Sequence, residues 1–351
     1  MMRSTVVNGV VTLSVVLVTA SLVTASLAAA PTGGGAAYKP PRTEFGYPDL
    51  QGNWTNATIT PIERPAKFGE RRAFTAEEAS ELEKAELDGI AAADKPTDPK
   101  QGIQDLPADC GRGFTGVNCG YNSFWVDPGT KLIELNGEKR TSIVVDPPNG
   151  RYPAMLPAAQ ARVAERRSRF RVTGQADGPE VRSLGERCIL SFGSSAGPPM
   201  LPLLYNNNYQ IVQTKDTATI IVEMVHDARI VRIGGEHLPS SIRKWMGDSI
   251  GHYEGDTLVV ETINFPEQQT VLRYPSDNMK VTERFTRVAA NKILYKFTVE
   301  APTTFDKPFT GEVALNASQG NIYEYACHEG NYALPGILAG AREQERTAEK
   351  K

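Results

Sequence analysis

The chain has 351 residues, with 38 Lys and Arg against 41 Asp and Glu and a formal net charge of -3 at pH 7. It carries no basic block for nucleic acid and no polybasic patch for a lipid surface, so neither partner is expected. With 31 Gly and 24 Pro, its composition suits a strand-rich, loop-rich fold better than a helical one.

Arg3 is followed by the charge-free run VVNGVVTLSVVLVTASLVTA and then by the small residues of SLAAAPTGGGAA. That is the order of a secretory signal peptide. Cleavage is expected after Ala28, because cutting after Ala30 would leave Pro31 first. Asn8, Gly9 and the repeated Ser and Thr weaken a membrane-anchor reading. Residues 1–28 are therefore read as a signal peptide. The mature chain is expected to be periplasmic or secreted, with no stable membrane insertion after signal removal. Losing Arg3 takes the net charge from -3 to -4.

Residues 29–48 read as a flexible lead-in, and 49–207 as an irregular wrapping region with two helices. A short strand is expected near Trp54–Ile59. Thr75 and Glu78 form a capping box that starts a helix running to about Ala93. The stretch 94–130 has little periodicity and reads as a surface loop. A strand at Thr141–Val145 should stop at the double proline that follows. Pro157 sits near the start of the second helix, PAAQARVAERRSRFR.

From Tyr209 the character changes. Short runs rich in Val, Ile, Thr, Tyr and Phe follow one another, separated by turn signals. The connections are mostly too short for crossover helices, so neighbouring strands are expected to pair antiparallel. The last of these runs is NIYEYACH. The fold class is mainly β: an antiparallel meander over 208–335 that hides its edges by closing into a barrel with a partly polar cavity. Residues 336–351 read as a polar C-terminal tail.

The segments PDLQGNW, DPPNGRYP, YNNNYQIVQT, EMVHDARI, WMGDSIGHYEGDTLVVET and YACHEGNY resemble the signature segments of an uncharacterised family of secreted bacterial proteins. The likeness spans nearly the whole mature chain. It carries over no catalytic residues, because no activity comes with that family. The meander also resembles lipocalin-like barrels, a likeness of fold that includes ligand carriers and a few cofactor-free enzymes acting on apolar small molecules.

An exported chain with Cys110, Cys119, Cys188 and Cys327 reads as a disulfide framework. Three connectivities are possible. Cys110 and Cys119 lie in the Gly-rich loop DCGRGFTGVNCG, which can close on itself. That leaves Cys188 with Cys327 as a long-range staple. The absence of a CxxC pair argues against structural zinc.

Acid–base chemistry has two candidate pairs. His226 and Asp227 close the strand ATIIVEMVHD, where a carboxylate can orient a histidine. On strand alternation His226 shares a face with Ile220, Val222 and Met224, and Glu223 points away. In NIYEYACH, Glu324 and His328 share one face and Cys327 the other, which argues against a Cys–His nucleophile pair. The competing readings are a turn Asp with a packed His, and a solvent-facing Glu with a turn His. His237 and His252 read as exposed loop residues. His226, His328, Glu324 and Asp227 would make a two-His, carboxylate metal site only if the strand ends meet, and with neither HxH nor HExxH present no metal is expected. GDSIG matches G-x-S-x-G, but a strand pair follows it where a helix is required. No phosphate-cradling glycine loop lies between a strand and a helix, so no cofactor is expected. Tyr205, Asn207 and Trp245 are candidate ligand contacts, Trp245 by capping the barrel mouth. The functional expectation is a cavity for an apolar small molecule. Either a cofactor-independent lyase, hydratase or hydrolase uses it, or a non-catalytic carrier does.

Overall fold

The computed structural model describes residues 38–93, 100, 127–172, 176–191, 197–271, 274–275 and 278–349. The signal peptide, residues 29–37 of the lead-in, most of the loop 94–130, and Cys110 with Cys119 lie outside the described residues.

In chain order the strands are β1 (Gly52–Thr55), β2 (Glu134–Leu135), β3 (Glu138–Lys139), β4 (Val144–Asp146), β5 (Asn208–Gln213), β6 (Thr217–Val222) and β7 (Ala228–Ile233). They continue with β8 (Asp248–Glu254), β9 (Thr257–Ile263), β10 (Thr270–Val271), β11 (Tyr274–Pro275), β12 (Lys280–Ala289), β13 (Lys292–Glu300) and β14 (Phe309–Ala317). Three helices stand among the described residues: α1 (Ala76–Ala93), α2 (Pro157–Val172) and α3 (Ala333–Ala348).

The strands pair in the order β1-β5-β6-β7-β8-β9-β12-β13-β14, and β14 pairs back onto β1. The result is a closed barrel of mainly antiparallel strands, with β4 laid on the edge of β14 at Thr310 and Gly311. Closing β14 onto β1 removes the open edges that the two end strands of the ring would otherwise present. β1 comes from the irregular N-terminal half and completes the ring: Trp54 pairs with Tyr209 on one side and Ala317 on the other. The expected strand near Trp54–Ile59 is thus shorter and earlier than its pattern suggested.

Alternation along the strands fills the interior. Ile211 and Tyr209 on β5, Ala218, Ile220 and Val222 on β6, Val281 and Phe285 on β12, and Ile293, Tyr295, Phe297 and Val299 on β13 are all buried. Burying an aromatic such as Phe285 contributes about 2–3 kcal/mol. Phe297 pairs with Gly311, and a Cβ at 311 would come within 2.2 Å of the Phe297 ring. Only glycine lets that ring lie across the strand.

The capping box forms as expected. The Glu78 backbone N–H donates to Thr75 Oγ1 (3.2 Å), and the Thr75 backbone N–H donates to Glu78 Oε2 (2.9 Å). The Arg71 side chain also donates to Glu78, and with that hydrogen bond first among the causes the carboxyl falls to about 2. The second helix begins at Pro157, and β4 stops at Pro147 as its sequence requires.

Three features depart from the expected meander. β7 and β8 pair in parallel, Val231 beside Ser249. The connection Gly234–Gly247 is long enough to carry the chain back to the same end of the barrel. NIYEYACH forms no strand: from Ser318 the chain runs outside the ladder, and turns at Cys327–Gly330. The ring is already sealed by β14 on β1, so neither of those strands offers it an open edge. The tail expected to be merely polar forms α3, whose Arg342 donates to the carbonyls of Ala176 and Asp177. No helix among the described residues is long and apolar enough to cross a membrane.

Candidate functional site

The turn between β6 and β7 breaks the alternation that built β6. Met224–His226 is a short 3-10 turn in which Val225 has φ 68° and His226 φ 47°. Left-handed backbone at a β-branched residue is an outlier, of order 1–3 kcal/mol, and such strain gathers at functional sites. The turn reverses the expected facing. His226 is exposed, whereas Glu223, expected on the outward face, is buried.

Glu223 ties two elements to this turn. Its Oε2 accepts from Asn208 Nδ2 at 2.7 Å, and its Oε1 from the Tyr323 backbone N–H at 3.2 Å. The segment 318–332 is thereby held as a strap. Ser318 N–H donates to the Asn53 carbonyl (2.9 Å), and Asn53 Nδ2 to the Gly320 carbonyl (3.1 Å). His226 Nδ1 lies 3.0 Å from the Tyr325 carbonyl, which acts only as acceptor and so fixes the proton on Nδ1. His226 Nε2 is then the acceptor nitrogen of the neutral ring. The Cys188–Cys327 disulfide forms as expected and fastens the strap again, with Asn331 Nδ2 donating to the Glu186 carbonyl at 2.8 Å.

Asp227 is half-buried beside His226. Its carboxylate makes no hydrogen bond or ion pair among the described residues. Burial pushes its pKa up, with the neighbouring His226 opposing. A carboxyl that is desolvated and unpaired can exchange a proton nearer neutrality than an ordinary aspartate. Of the sequence candidates, the structure brings His226 and Asp227 together in one strained turn, against the strap that carries the others.

Glu324 and His328 are both exposed on that strap. The alternation argument that gave them a shared face does not apply, because no strand forms there. Tyr205 is half-buried and packs onto the core. Asn207 is buried, and its amide is committed to backbone. Nδ2 donates to the carbonyls of Asp127 (2.9 Å) and Leu203 (2.8 Å), and Oδ1 accepts from Leu203 N–H (2.7 Å). It organises its own loop. Trp245 is partly exposed, its carbonyl accepting from Gln269 Nε2.

Behind the turn, the barrel interior holds charge. Arg229 on β7 and Glu283 on β12 are 3% and 0% exposed and meet across the lumen, Nη1 to Oε2 at 2.8 Å and Nη2 to Oε1 at 3.0 Å. Tyr295 Oη donates to Glu283 Oε1 at 2.8 Å and accepts from the Met200 N–H at 2.9 Å. Asn56 Nδ2 extends the network to the Met200 carbonyl (3.2 Å) and Tyr209 Oη (3.3 Å). Burial raises both tyrosine pKa values well above the ordinary phenol range.

His237 differs most from its expected place. It is part-buried, with Nδ1 3.0 Å from Asp248 Oδ2 and Nε2 3.2 Å from Glu261 Oε1. Asp248 is fully buried and also accepts from Arg232 through two bonds (2.9 and 3.0 Å) and from the Leu238 N–H (2.9 Å). Hydrogen bonding from Arg232 leads the causes that hold its carboxyl far below the usual range. The cluster pins the Gly234–Gly247 crossover to β8 and β9. His252 is exposed beside Glu254, as expected (3.0 Å). Ser249 of GDSIG is buried within β8 and bonds Thr262 Oγ1 at 2.8 Å, in keeping with a hairpin rather than a nucleophile elbow.

The molecule is thus a closed, mixed barrel with a charged pair in its lumen and a disulfide-tied strap over one rim. No family model, no curated protein and no solved structure matches the chain. Among the described residues, no group of three or more His, Cys, Asp and Glu is placed to hold a metal ion.

Proposed function

We propose that this chain is an exported barrel protein that receives a small apolar molecule at the rim formed by Glu223–Asp227 and the strap. Asp227 is the group that takes or gives a proton there, with His226 beside it. The observation that carries the reading is the Asp227 carboxyl: half-buried, unpaired among the described residues, and raised in pKa by burial. Such a group is destabilised as a bare anion and gains by protonation, which is what a general base requires. Asp227 and His226 can do this work without a cofactor. The disulfide suits an oxidising compartment, in keeping with a periplasmic or secreted location.

A carrier without chemistry is the second reading. The exposure of Glu324 and His328 favours it, because that pair lacks the shelter that acid–base work needs. Native mass spectrometry of the mature protein recovered from its export compartment separates the two. A bound molecule that wild type converts, and that Asp227→Asn retains unconverted, supports the enzyme. A molecule that both release unchanged supports the carrier. Absence of any bound small molecule from both would contradict the proposal.

A further inference from the structure

Arg64 stands out among the buried cations. It is 2% exposed. Its Nη1 donates to two backbone carbonyls, Pro148 at 2.6 Å and Gly69 at 3.3 Å. Its Nε is buried and has no partner, and both of its side-chain hydrogen bonds among the described residues run from Nη1 rather than Nη2. Nε and Nη2 together form the side-on fork of a guanidinium, the edge whose two parallel N–H groups match an oxyanion.

A lone unpaired Nε would mean little, since Arg140, Arg182 and Arg287 share it. Those three differ in one respect. Each has a carboxylate partner: Arg140 has Glu138 and Glu312, Arg182 has Glu186, and Arg287 has Asp49. Arg64 has none among the described residues, and buried charges are ordinarily paired.

The surroundings add positive charge. Arg140 is 4% exposed, and its Nη2 shares Glu312 Oε2 with Arg72 Nη2, at 3.5 and 3.8 Å. Arg140 and Ser142 lie two residues apart on the segment that leads into β4. Gly150, at φ 67°, brings the DPPNG turn so close that a Cβ there would fall 2.7 Å from Ser142 Oγ and 2.8 Å from Arg64 Cζ. Burial first, and then the charge of Arg72, lower the Arg64 pKa, with Arg140 adding to the effect and Glu70 opposing it. The buried Arg140 and the half-exposed Arg72 therefore share one part-buried carboxylate, and the Arg64 fork is left over.

We propose that the Arg64 fork, flanked by Arg72 and Arg140, is a binding site for one small oxyanion of the phosphate, sulfate or carboxylate kind. The site is built from the wrapping region 61–72 and the segment 138–150, and is independent of the rim turn. The anion would take the Nε and Nη2 protons side-on and balance the buried charge, locking the DPPNG turn to the segment that follows Pro61.

Calorimetric titration of the mature, full-length protein tests this. Inorganic phosphate, sulfate and acetate are added separately, at ionic strength held constant with sodium chloride. The expected result is one saturating site per chain for at least one of the three, and which anion saturates identifies the class. Arg64→Lys keeps the charge and removes the fork, and should weaken binding at least about tenfold. Arg72→Gln, on the exposed flank, should weaken it less. Should Arg64→Lys fail to fold, the wild-type arginine Nε–H spectrum replaces it. The Arg64 resonance should shift saturably with the same anion. No saturable binding of any of the three, unchanged affinity in a folded Arg64→Lys, or an Arg64 Nε–H signal that does not move would each overturn the site.

Discussion

Arg229 and Glu283 face each other across the barrel lumen in a two-pronged ion pair, although β7 and β12 are separated by two intervening strands. Replacing one partner leaves the other charged and buried. Arg229→Met should destabilise by about 3–5 kcal/mol in chemical denaturation. The double variant Arg229→Met/Glu283→Leu should recover much of that loss, since a desolvated pair is often matched by apolar packing. Additive losses would mean that the two side chains do not act as a unit.

Asp227 makes stability depend on pH in a stated direction. Its folded pKa lies above its unfolded value, so between the two the native state binds more protons than the unfolded one. Stability should therefore fall as pH rises from the ordinary aspartate range through the folded pKa. Asp227→Asn should remove that component and be more stable than wild type at neutral pH. Paired melts across the acid range check the slope.

Asp248 should show the opposite sign. Arg232 and its other donors depress its folded pKa, so its stabilisation is present above the ordinary aspartate value and is lost as pH falls below it. Asp248→Asn should cost ~3 kcal/mol, by leaving Arg232 and His237 without their shared anion. His237→Gln keeps a donor towards Asp248 and should cost less. Hydrogen exchange should report the loosening in Gly234–Gly247 in both variants.

The strap should detach without unfolding the barrel. Cys188–Cys327 closes a long loop, for which chain entropy predicts up to about 4–5 kcal/mol. The barrel itself is sealed by β14 on β1. In Cys188→Ser/Cys327→Ser, limited proteolysis should cut first between Ser318 and Tyr332. The barrel strands should stay protected, and His226 should lose its Tyr325 carbonyl bond. Cleavage inside β12–β14 at the same rate would show that the strap holds the barrel together.

The sequence conveys the periodic parts of this molecule well. The strands β5, β6, β7, β12 and β13 follow their alternation and turn signals, and the Thr75–Glu78 box marks the start of α1. Closure by β1 is harder to see, because GNWT is too short to show a period and is completed only by partners more than a hundred residues away. NIYEYACH has every local mark of a strand; whether an edge is free to receive it is a global property. The same holds at His226. Two left-handed residues end the alternation, and nothing in EMVHD announces them. The charged pair leaves a trace: Arg229 and Glu283 each occupy an inward position of an otherwise apolar face, ARIVRI and KVTERF, with opposite signs. His237 leaves none, since Asp248 and Glu261 reach it only through the crossover.

The central claim rests on the Asp227 carboxyl, and carbon-detected NMR titration of its side-chain carbon measures it directly. A midpoint above the ordinary aspartate value of about 4, moving when His226 is replaced by Gln, is the predicted result. A midpoint at or below that value would contradict the proton-transfer role assigned to this turn.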